Sequence, residues 1–167
     1  MFATLHTRLN QLALSSSLTR AITYALASTL AYALVAFGVL SLYIGVPKTE
    51  FITSVFAAFA AATLSRILVE AIYYVYKRPR PSKSDNIEPL FVSANPSFPS
   101  GHAAFFSAIA TALILLDTPF ALSIFVATAV LCIARVLAGI HFLSDILAGY
   151  ALGVGTTLIL LSLLGYT

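Results

Sequence analysis

Two histidines in this sequence have neighbours that suit acid–base or nucleophilic chemistry. His141 and Asp145 are four residues apart, so they would share a face if both lay on one helix. The carboxylate would then accept the proton of one imidazole nitrogen and leave the other nitrogen as an acceptor or nucleophile. Arg135 precedes His141 by six residues, and Gly139 between them permits a turn that returns Arg135 toward the ring.

The second histidine, His102, follows Pro99, Ser100 and Gly101 at the start of a long apolar run. Ser100 is a suitable N-cap, and Gly101 would let an anion approach the backbone closely. The N-terminus of a helix presents unpaired N–H groups and the positive end of the helix dipole, which favours a phosphate. We therefore expect His102 just inside such a helix, beside a bound anion.

Arg78 and Arg80 are each followed by a proline, so they project from a stiffened turn after an apolar helix. Guanidinium groups suit bidentate contact with phosphate. Taken singly, a helical histidine is more often a packed residue, and an arginine pair after a span is more often an interfacial anchor. Together, the histidines, arginines and carboxylate predict an anion site, and no cluster in the sequence resembles a magnesium site.

The composition makes the lipid bilayer the main solvent of the chain. Of its 167 residues, 60% are hydrophobic and 9% are charged, whereas a soluble domain carries roughly a quarter charged residues. The net charge of +3 is too modest for a nucleic-acid-binding surface, so we expect no nucleic-acid partner. Cys132 is the only cysteine and stands in an apolar run, which predicts a buried, inert thiol.

Five apolar segments predict an all-α, polytopic membrane bundle that forms a single domain over residues 1–167. The segments cover residues 21–44, 52–76, 101–116, 120–138 and 142–164. Four of them reach the roughly 20 residues that cross a bilayer. The third is shorter, so it would cross a thin region or start from a recessed site. The first is too long for a signal peptide and has no clear cleavage site, which favours a retained span.

Outside these segments, residues 1–16 predict an amphipathic helix in the membrane interface, with a frayed terminus as the alternative. One helical face would carry Phe2, Leu5, Leu9 and Leu12, and the rest Thr4, Arg8, Asn10 and Gln11. Residues 77–100 predict a polar loop that carries part of the active site. Within the second segment, Arg66 and Glu70 have the spacing of a helical ion pair.

These motifs resemble the type 2 phosphatidic acid phosphatase family, also called the lipid phosphate phosphatase and haloperoxidase superfamily. The family pattern is K-x6-R-P, then P-S-G-H, then S-R-x5-H-x3-D. The second motif is complete at residues 99–102, and the third departs from the pattern only at Ala134, where the family has serine. The first keeps Arg80 and its proline, but Tyr73 stands at the lysine position, and Lys77 is a nearby substitute for that charge.

The resemblance implies that His141 attacks phosphorus while Asp145 holds its ring. His102 would protonate the leaving oxygen and then activate water. The phosphate-binding groups would be Arg80, Arg135, Ser100, Gly101, Arg78 and Lys77. The implied mechanism uses no metal and no cofactor.

The short chain and the stretch from Tyr73 to Pro99 are similar to bacterial undecaprenyl-diphosphate phosphatases of the bacitracin-resistance type. Undecaprenyl diphosphate is therefore the leading substrate, while phosphatidic acid, phosphatidylglycerol phosphate and lipid A phosphates stay open. Phosphoryl transfer to another lipid or sugar also stays open. A vanadate haloperoxidase would be soluble, which this composition opposes. A transporter usually has internal repeats, which the sequence lacks, and a structural protein with a vestigial site would not keep the motif residues intact.

Five spans would put the N-terminus and the loop at residues 77–99 on the same side of the membrane. Arg8, Arg20 and the basic residues of the loop would make that side cytoplasmic by the positive-inside rule. The resemblance implies the outer face of the plasma membrane instead. We favour the outer face, because the basic residues of the loop would serve phosphate. The sequence predicts no particular oligomeric state.

Overall fold

The computed structural model describes residues 2–84, 87–92 and 94–166, with side chains from His6 onward. Regular structure in these ranges is entirely helical, which confirms the all-α prediction. The helices are α1 (Phe2–Ala13), α2 (Ser17–Tyr24), a π-helical turn (Ala25–Thr29), α3 (Leu30–Gly45), α4 (Phe51–Val75), α5 (Pro81–Ser84), α6 (Gly101–Leu115), α7 (Ala121–Leu137) and α8 (Leu143–Leu163).

The predicted N-terminal helix forms as α1, but one of its polar residues is not exposed. Asn10 is buried, and its amide donates to the carbonyl oxygens of Glu88, at 3.1 Å, and Leu137, at 2.8 Å. We had expected Asn10 on the solvated face, and that expectation was wrong because α1 packs against α7 and the loop. The side chains of Phe2, Thr4 and Leu5 lie outside the described ones, and location in the membrane interface stays a prediction.

The first apolar segment is longer than predicted and is not uniformly α-helical. It runs without a break from Ser17 to Gly45. Ser16 and Thr19 form a reciprocal capping box, which explains the earlier start. The π-helical turn at Ala25–Thr29 was not predicted, since nothing in its composition distinguishes it from ordinary apolar helix. Such turns often occur at functional sites.

Three of the helices are long and apolar enough to cross a membrane: Ser17–Gly45, Phe51–Val75 and Leu143–Leu163. The other two apolar helices, α6 and α7, have 15 and 17 residues. The described ranges therefore contain five apolar helices, but a count of five full spans is not confirmed. The chain turns sharply on both sides of α7, at Phe120 with φ of 64° and Gly139 with φ of 71°, which makes α7 shorter than predicted.

Helix α6 lies at the centre of the bundle and packs against α3, α4, α7 and α8. Its contact with α8 is unusually close at Gly149 and Gly153. A Cβ atom at Gly149 would collide with the carbonyl oxygen of Ser100, and one at Gly153 with that of Ala104. Glycines four residues apart are a common device for bringing two membrane helices together. This contact sets the position of the start of α6 relative to α8.

The N-terminus and the loop after α4 lie at the same end of the bundle, as predicted. Arg20, on α2, is 4.0 Å from the carboxylate of Glu88 in the loop. At this end, the backbone N–H of Ser100 donates to the carbonyl oxygen of Asp145 at 2.9 Å. The starts of α6 and α8 are therefore joined directly, which brings the P-S-G-H residues next to the end of the third motif.

Candidate active site

His141 lies in the short turn between α7 and α8, not on α8 as we had considered. Gly139 adopts a positive φ of 71°, which lets the chain reverse after α7. The Nδ1 atom of His141 donates to the carbonyl oxygen of Ser97 at 2.9 Å. The nearest carboxylate oxygen of Asp145 is 3.6 Å from Nδ1. Asp145 supplies charge beside the ring, but the main acceptor of its proton is a backbone carbonyl that sequence reasoning missed.

Asp145 is completely buried and connects three separate parts of the chain. Its Oδ2 accepts from the backbone N–H of Phe142 at 2.8 Å and from the hydroxyl of Ser97. Its Oδ1 accepts from Nη1 of Arg78 at 2.7 Å. The carboxylate thus holds the loop, the His141 turn and the start of α8 in one arrangement.

The structure places Arg78 on Asp145. The same Nη1 atom also donates to the hydroxyl of Ser144 at 2.7 Å, and the guanidinium lies 4.2 Å from the ring centre of Phe142. These contacts hold the arginine against the first turn of α8. Direct contact between Arg78 and phosphate stays a prediction.

Arg80 is buried beside His141. Its three nitrogens donate to the carbonyl oxygens of Asn95 at 2.9 Å, Ile140 at 2.9 Å and Pro96 at 3.2 Å. Its Nη1 is also 3.5 Å from Nε2 of His141. Burial lowers the pKa of Arg80, but a guanidinium stays protonated at neutral pH. Arg80 is therefore a fixed positive charge next to the free nitrogen of His141.

Arg135 is also buried, at the end of α7. Its Nη1 donates at 2.8 Å to the carbonyl oxygen of Ala27, in the π-helical turn. Its Nε is buried and has no hydrogen-bond partner among the described residues. The first membrane helix thus positions this arginine, although the family motifs do not include that helix.

The start of α6 has the predicted N-cap. The hydroxyl of Ser100 accepts from the N–H of Ala103 at 3.4 Å. His102, in the first turn, is within electrostatic range of Arg135, His141, Arg80 and Arg66. The two histidines and three arginines therefore converge on one region, as an anion site requires.

The sequence predicts an ion pair between Arg66 and Glu70, and this pair is confirmed. The structure also brings the guanidinium of Arg66 against Gly101 at the start of α6. A Cβ atom at Gly101 would lie 2.9 Å from Nη1 of Arg66. The space beside Gly101, which we expected to admit an anion, is thus occupied by a cation. The available signal was that Arg66 lies two helical turns before Tyr73, on the same face of α4.

A basic cavity of about 570 Å³ opens next to Arg80. It is lined by Tyr73, Tyr74, Lys77, Arg78, Arg80 and Lys83, among others. Lys77 is exposed there, beyond the end of α4. The cavity would add positive charge to the approach to His141.

Burial lowers the pKa of His141, whereas the neighbouring carboxylate of Asp145 raises it. The two adjacent arginines, Arg80 and Arg135, lower the pKa further. The ring is therefore neutral at neutral pH. With its proton on Nδ1, its Nε2 lone pair is available as a nucleophile.

Comparison with known families agrees with this geometry. The family model for the PAP2 superfamily matches residues 54–167, which is more than half of the chain. The chain belongs to the PAP2 superfamily. The match covers α4 from Ser54 onward, the loop, and α6 to α8, and so includes all the motif residues.

Two solved structures share the fold. A transmembrane PAP2-type phosphatidylglycerolphosphate phosphatase from Bacillus subtilis has a TM-score of 0.64 at 18% identity, over 97% of this chain and 85% of that one. LpxE from Aquifex aeolicus has a TM-score of 0.57 at 22% identity, over 84% of this chain and 93% of that one. A comparison with curated proteins found no match. In the described residues, the regular structure of this PAP2 membrane protein is helical, as in a polytopic membrane bundle.

Proposed function

We propose that this PAP2 protein is a membrane phosphatase that removes phosphate from a lipid phosphate or diphosphate through a phosphohistidine at His141. One observation carries the proposal. The proton of His141 is directed to the carbonyl oxygen of Ser97, which leaves Nε2 facing the guanidinium of Arg80. A neutral imidazole nitrogen beside fixed positive charge suits attack on a phosphorus atom whose oxygens the arginines neutralise.

In the first step, the Nε2 lone pair forms a bond to phosphorus and the bond from phosphorus to the leaving oxygen breaks. His102, in its protonated form, gives its proton to that oxygen. The imidazole of His141 becomes positively charged as the N–P bond forms. Asp145, 3.6 Å from Nδ1, stabilises this charge.

In the second step, His102 accepts a proton from water as the water oxygen attacks phosphorus. The N–P bond breaks and its electron pair returns to Nε2 of His141. Inorganic phosphate is released, and the proton taken from water returns His102 to its protonated form, since the proton of the first step left with the leaving group. Arg80 and Arg135 hold the non-bridging oxygens through both steps, with the N–H groups that follow Ser100 at the start of α6. The N–H of Ser100 itself does not take the predicted phosphate-binding role, because it donates to the carbonyl oxygen of Asp145.

An apolar groove supports a lipid as the substrate. It lies between α4 and α8, has a volume of about 400 Å³, and is lined by Leu64, Leu68, Leu152, Ile159, Leu160 and Leu163, among others. Leu152 also packs against Val69 and Tyr73, which lie close to the start of α6. A hydrocarbon chain in this groove would leave its headgroup near the arginines.

Undecaprenyl diphosphate is the substrate that we propose first. The basic cavity contributes Lys77 and Lys83 beyond Arg80, whereas Arg78 is paired with Asp145 and Glu70 is the one acidic residue of the described lining. The two lysines add positive charge that would suit a second phosphate group. Phosphatidylglycerol phosphate is the alternative, because the Bacillus subtilis structure with the same fold is a phosphatidylglycerolphosphate phosphatase. We also propose that the site opens on the outer face of the plasma membrane.

Phosphate release from a panel of lipids tests the proposal. The protein would be purified in detergent and assayed with EDTA on undecaprenyl diphosphate, undecaprenyl phosphate, phosphatidylglycerol phosphate and phosphatidic acid. We expect EDTA-resistant release from at least one lipid, fastest with the diphosphate, and none from His141→Ala. Activity that persists in His141→Ala would refute the mechanism. Preference for phosphatidylglycerol phosphate would refute only the choice of substrate.

Labelling of a single cysteine tests the sidedness. Ser84 is exposed in the loop, and Cys132 is buried, so Ser84→Cys in a Cys132→Ser background offers one reactive thiol. We expect an impermeant maleimide to label it in intact cells. Labelling only after the membrane is opened would place the site on the cytoplasmic face.

A further inference from the structure

Arg66 lies at the candidate active site, although none of the family motifs includes it. It stands on α4 seven residues before Tyr73, which is close to two helical turns, so both side chains face α6. The hydroxyl of Tyr73 donates to the carbonyl oxygen of Pro99 at 3.0 Å. The guanidinium carbon of Arg66 lies 5.8 Å from the centre of the Tyr73 ring. The side chain of Arg66 therefore extends along α4 toward the P-S-G-H residues.

The guanidinium of Arg66 lies flat against Gly101. A Cβ atom on Gly101 would lie 2.9 Å from Nη1, 3.0 Å from Cζ and 3.1 Å from Nε of Arg66. Three atoms at nearly equal distances mean that the face of the group covers the glycine. A side chain at position 101 would push the guanidinium away, because the end of an arginine moves more readily than a helix backbone.

One nitrogen of this guanidinium lacks an acceptor. Nη2 pairs with the carboxylate of Glu70, but Nη1 is buried and has no hydrogen-bond partner among the described residues. Buried polar groups in folded proteins nearly always have partners. The side chain of Arg66 as a whole is 36% exposed, and its one buried, unpartnered N–H group beside the start of a helix would stabilise an anionic oxygen there. Arg66 is also within electrostatic range of His102, so this oxygen would lie next to the proposed acid.

We propose that Nη1 of Arg66 binds a non-bridging oxygen of the substrate phosphate. It would supply the positive charge that is missing at Tyr73, where the family pattern has lysine. Gly101 would then serve to let the guanidinium reach the phosphate. This inference rests on the proposed function, since it assigns a further residue to the same phosphate site.

Binding of inorganic phosphate and inhibition by it test the assignment. We expect Arg66→Gln to weaken phosphate binding by about tenfold or more, since a hydrogen bond from a charged group contributes about that much. Its kcat/KM should fall by at least the same factor. Arg66→Lys should recover part of both. Gly101→Ala should also weaken binding, because it displaces the guanidinium and leaves the charge in the protein.

Glu70→Gln separates a role in binding from a structural ion pair. It weakens the pair but keeps the shape of the side chain and the packing of the guanidinium against Gly101, so we expect phosphate affinity to change less than threefold. Arg20→Gln removes an exposed arginine of α2, distant from Arg66 in the sequence, and controls for the loss of one positive charge. If Glu70→Gln weakened phosphate binding as much as Arg66→Gln, Arg66 would act through the pair and the proposal would be overturned.

A second substitution provides a rescue. Tyr73→Lys would place an ammonium group on the same face of α4, so we expect it to restore phosphate affinity in Arg66→Gln by severalfold. Thermal unfolding of each variant in detergent would show whether it is folded.

Isothermal titration calorimetry with inorganic phosphate needs no turnover, which separates the two proposals. Wild-type protein that binds phosphate but hydrolyses no lipid would refute the proposed function alone. Unchanged phosphate affinity in folded Arg66→Gln would refute the role of Arg66 alone.

Discussion

The Nδ1 atom of His141 donates to the backbone carbonyl of Ser97 at 2.9 Å. This contact determines the tautomer of the ring without the carboxylate of Asp145. Asp145 instead holds Ser97, Phe142 and Arg78, and stands 3.6 Å from the ring as a charge. The orientation of the proposed nucleophile and the stabilisation of its charge are thus carried by different groups.

Asp145→Asn should therefore be less damaging than loss of the nucleophile. We expect kcat/KM to fall by about 10–100-fold, which corresponds to one charge-assisted interaction of roughly 1.5–3 kcal/mol. His141→Ala should abolish activity. Steady-state kinetics of both variants in one detergent check this. An Asp145→Asn variant that is folded and as inactive as His141→Ala would mean that the carboxylate alone orients the ring.

The pH dependence of the rate should show the lowered pKa of His141. Burial lowers this pKa, so the reactive neutral ring persists to more acidic pH than in a free histidine, whose pKa is about 6.5. We expect the acidic limb of kcat/KM below about pH 6.5. Because Asp145 raises this pKa, Asp145→Asn should move the limb to lower pH. A limb above pH 7, or a shift in the opposite direction, would contradict the assignment.

The two histidines should differ in their response to the leaving group. An acid is needed least when the leaving oxygen is already a weak base, as in p-nitrophenyl phosphate. In His102→Ala, kcat/KM should fall by about 10²–10⁴-fold on a lipid phosphate but by distinctly less on p-nitrophenyl phosphate. His141→Ala should be inactive on both substrates. The comparison uses kcat/KM, which reports the steps up to the departure of the leaving group and so leaves out the role of His102 as the base. Equal losses of kcat/KM in His102→Ala on the two substrates would exclude its role as the acid.

Asn10 should contribute to stability although it lies in the N-terminal helix. Its amide donates to the carbonyl oxygens of Glu88 and Leu137, and it is buried. Asn10→Ala would leave both acceptors without this partner, at a cost of about 1–3 kcal/mol. We expect a lower unfolding midpoint in detergent. Gln11→Ala, at the exposed neighbouring position, is the matched control and should change the midpoint little.

Close packing of α6 on α8 predicts opposite effects at two glycines of α8. A Cβ at Gly153 would collide with the carbonyl of Ala104 and the hydroxyl of Ser107, whereas a Cβ at Gly155 meets nothing within 4 Å. Gly153→Ala should destabilise the protein by about 1–3 kcal/mol. Gly155→Ala should be neutral or stabilising by up to about 1 kcal/mol. Unfolding in detergent compares them, and equal stability of the two variants would contradict the packing.

The sequence predicted those features that depend on local chemistry. Ser100 caps α6, Gly139 turns the chain before His141, and the Arg66–Glu70 pair forms, because each needs only neighbouring residues. Features that depend on distant parts of the chain were missed or wrong. The carbonyl of Ser97 beside His141 is one example.

The burial of Asn10 and the contact of Arg135 with the π-helical turn are further examples. Main-chain carbonyls have no residue type that could mark them in a sequence. The partner of such a group becomes visible only once the chain has folded.

The hydrogen bond from Ser100 to the carbonyl of Asp145 has an electrostatic consequence for the whole bundle. It holds the first turns of α6 and α8 side by side, and both helices run away from this point in the same direction. The dipoles of the two helices are therefore parallel, and their positive ends lie together, each equivalent to about half an elementary charge. An anion would experience this field even if one guanidinium were removed. Each single arginine substitution should accordingly lower the affinity for phosphate without abolishing it.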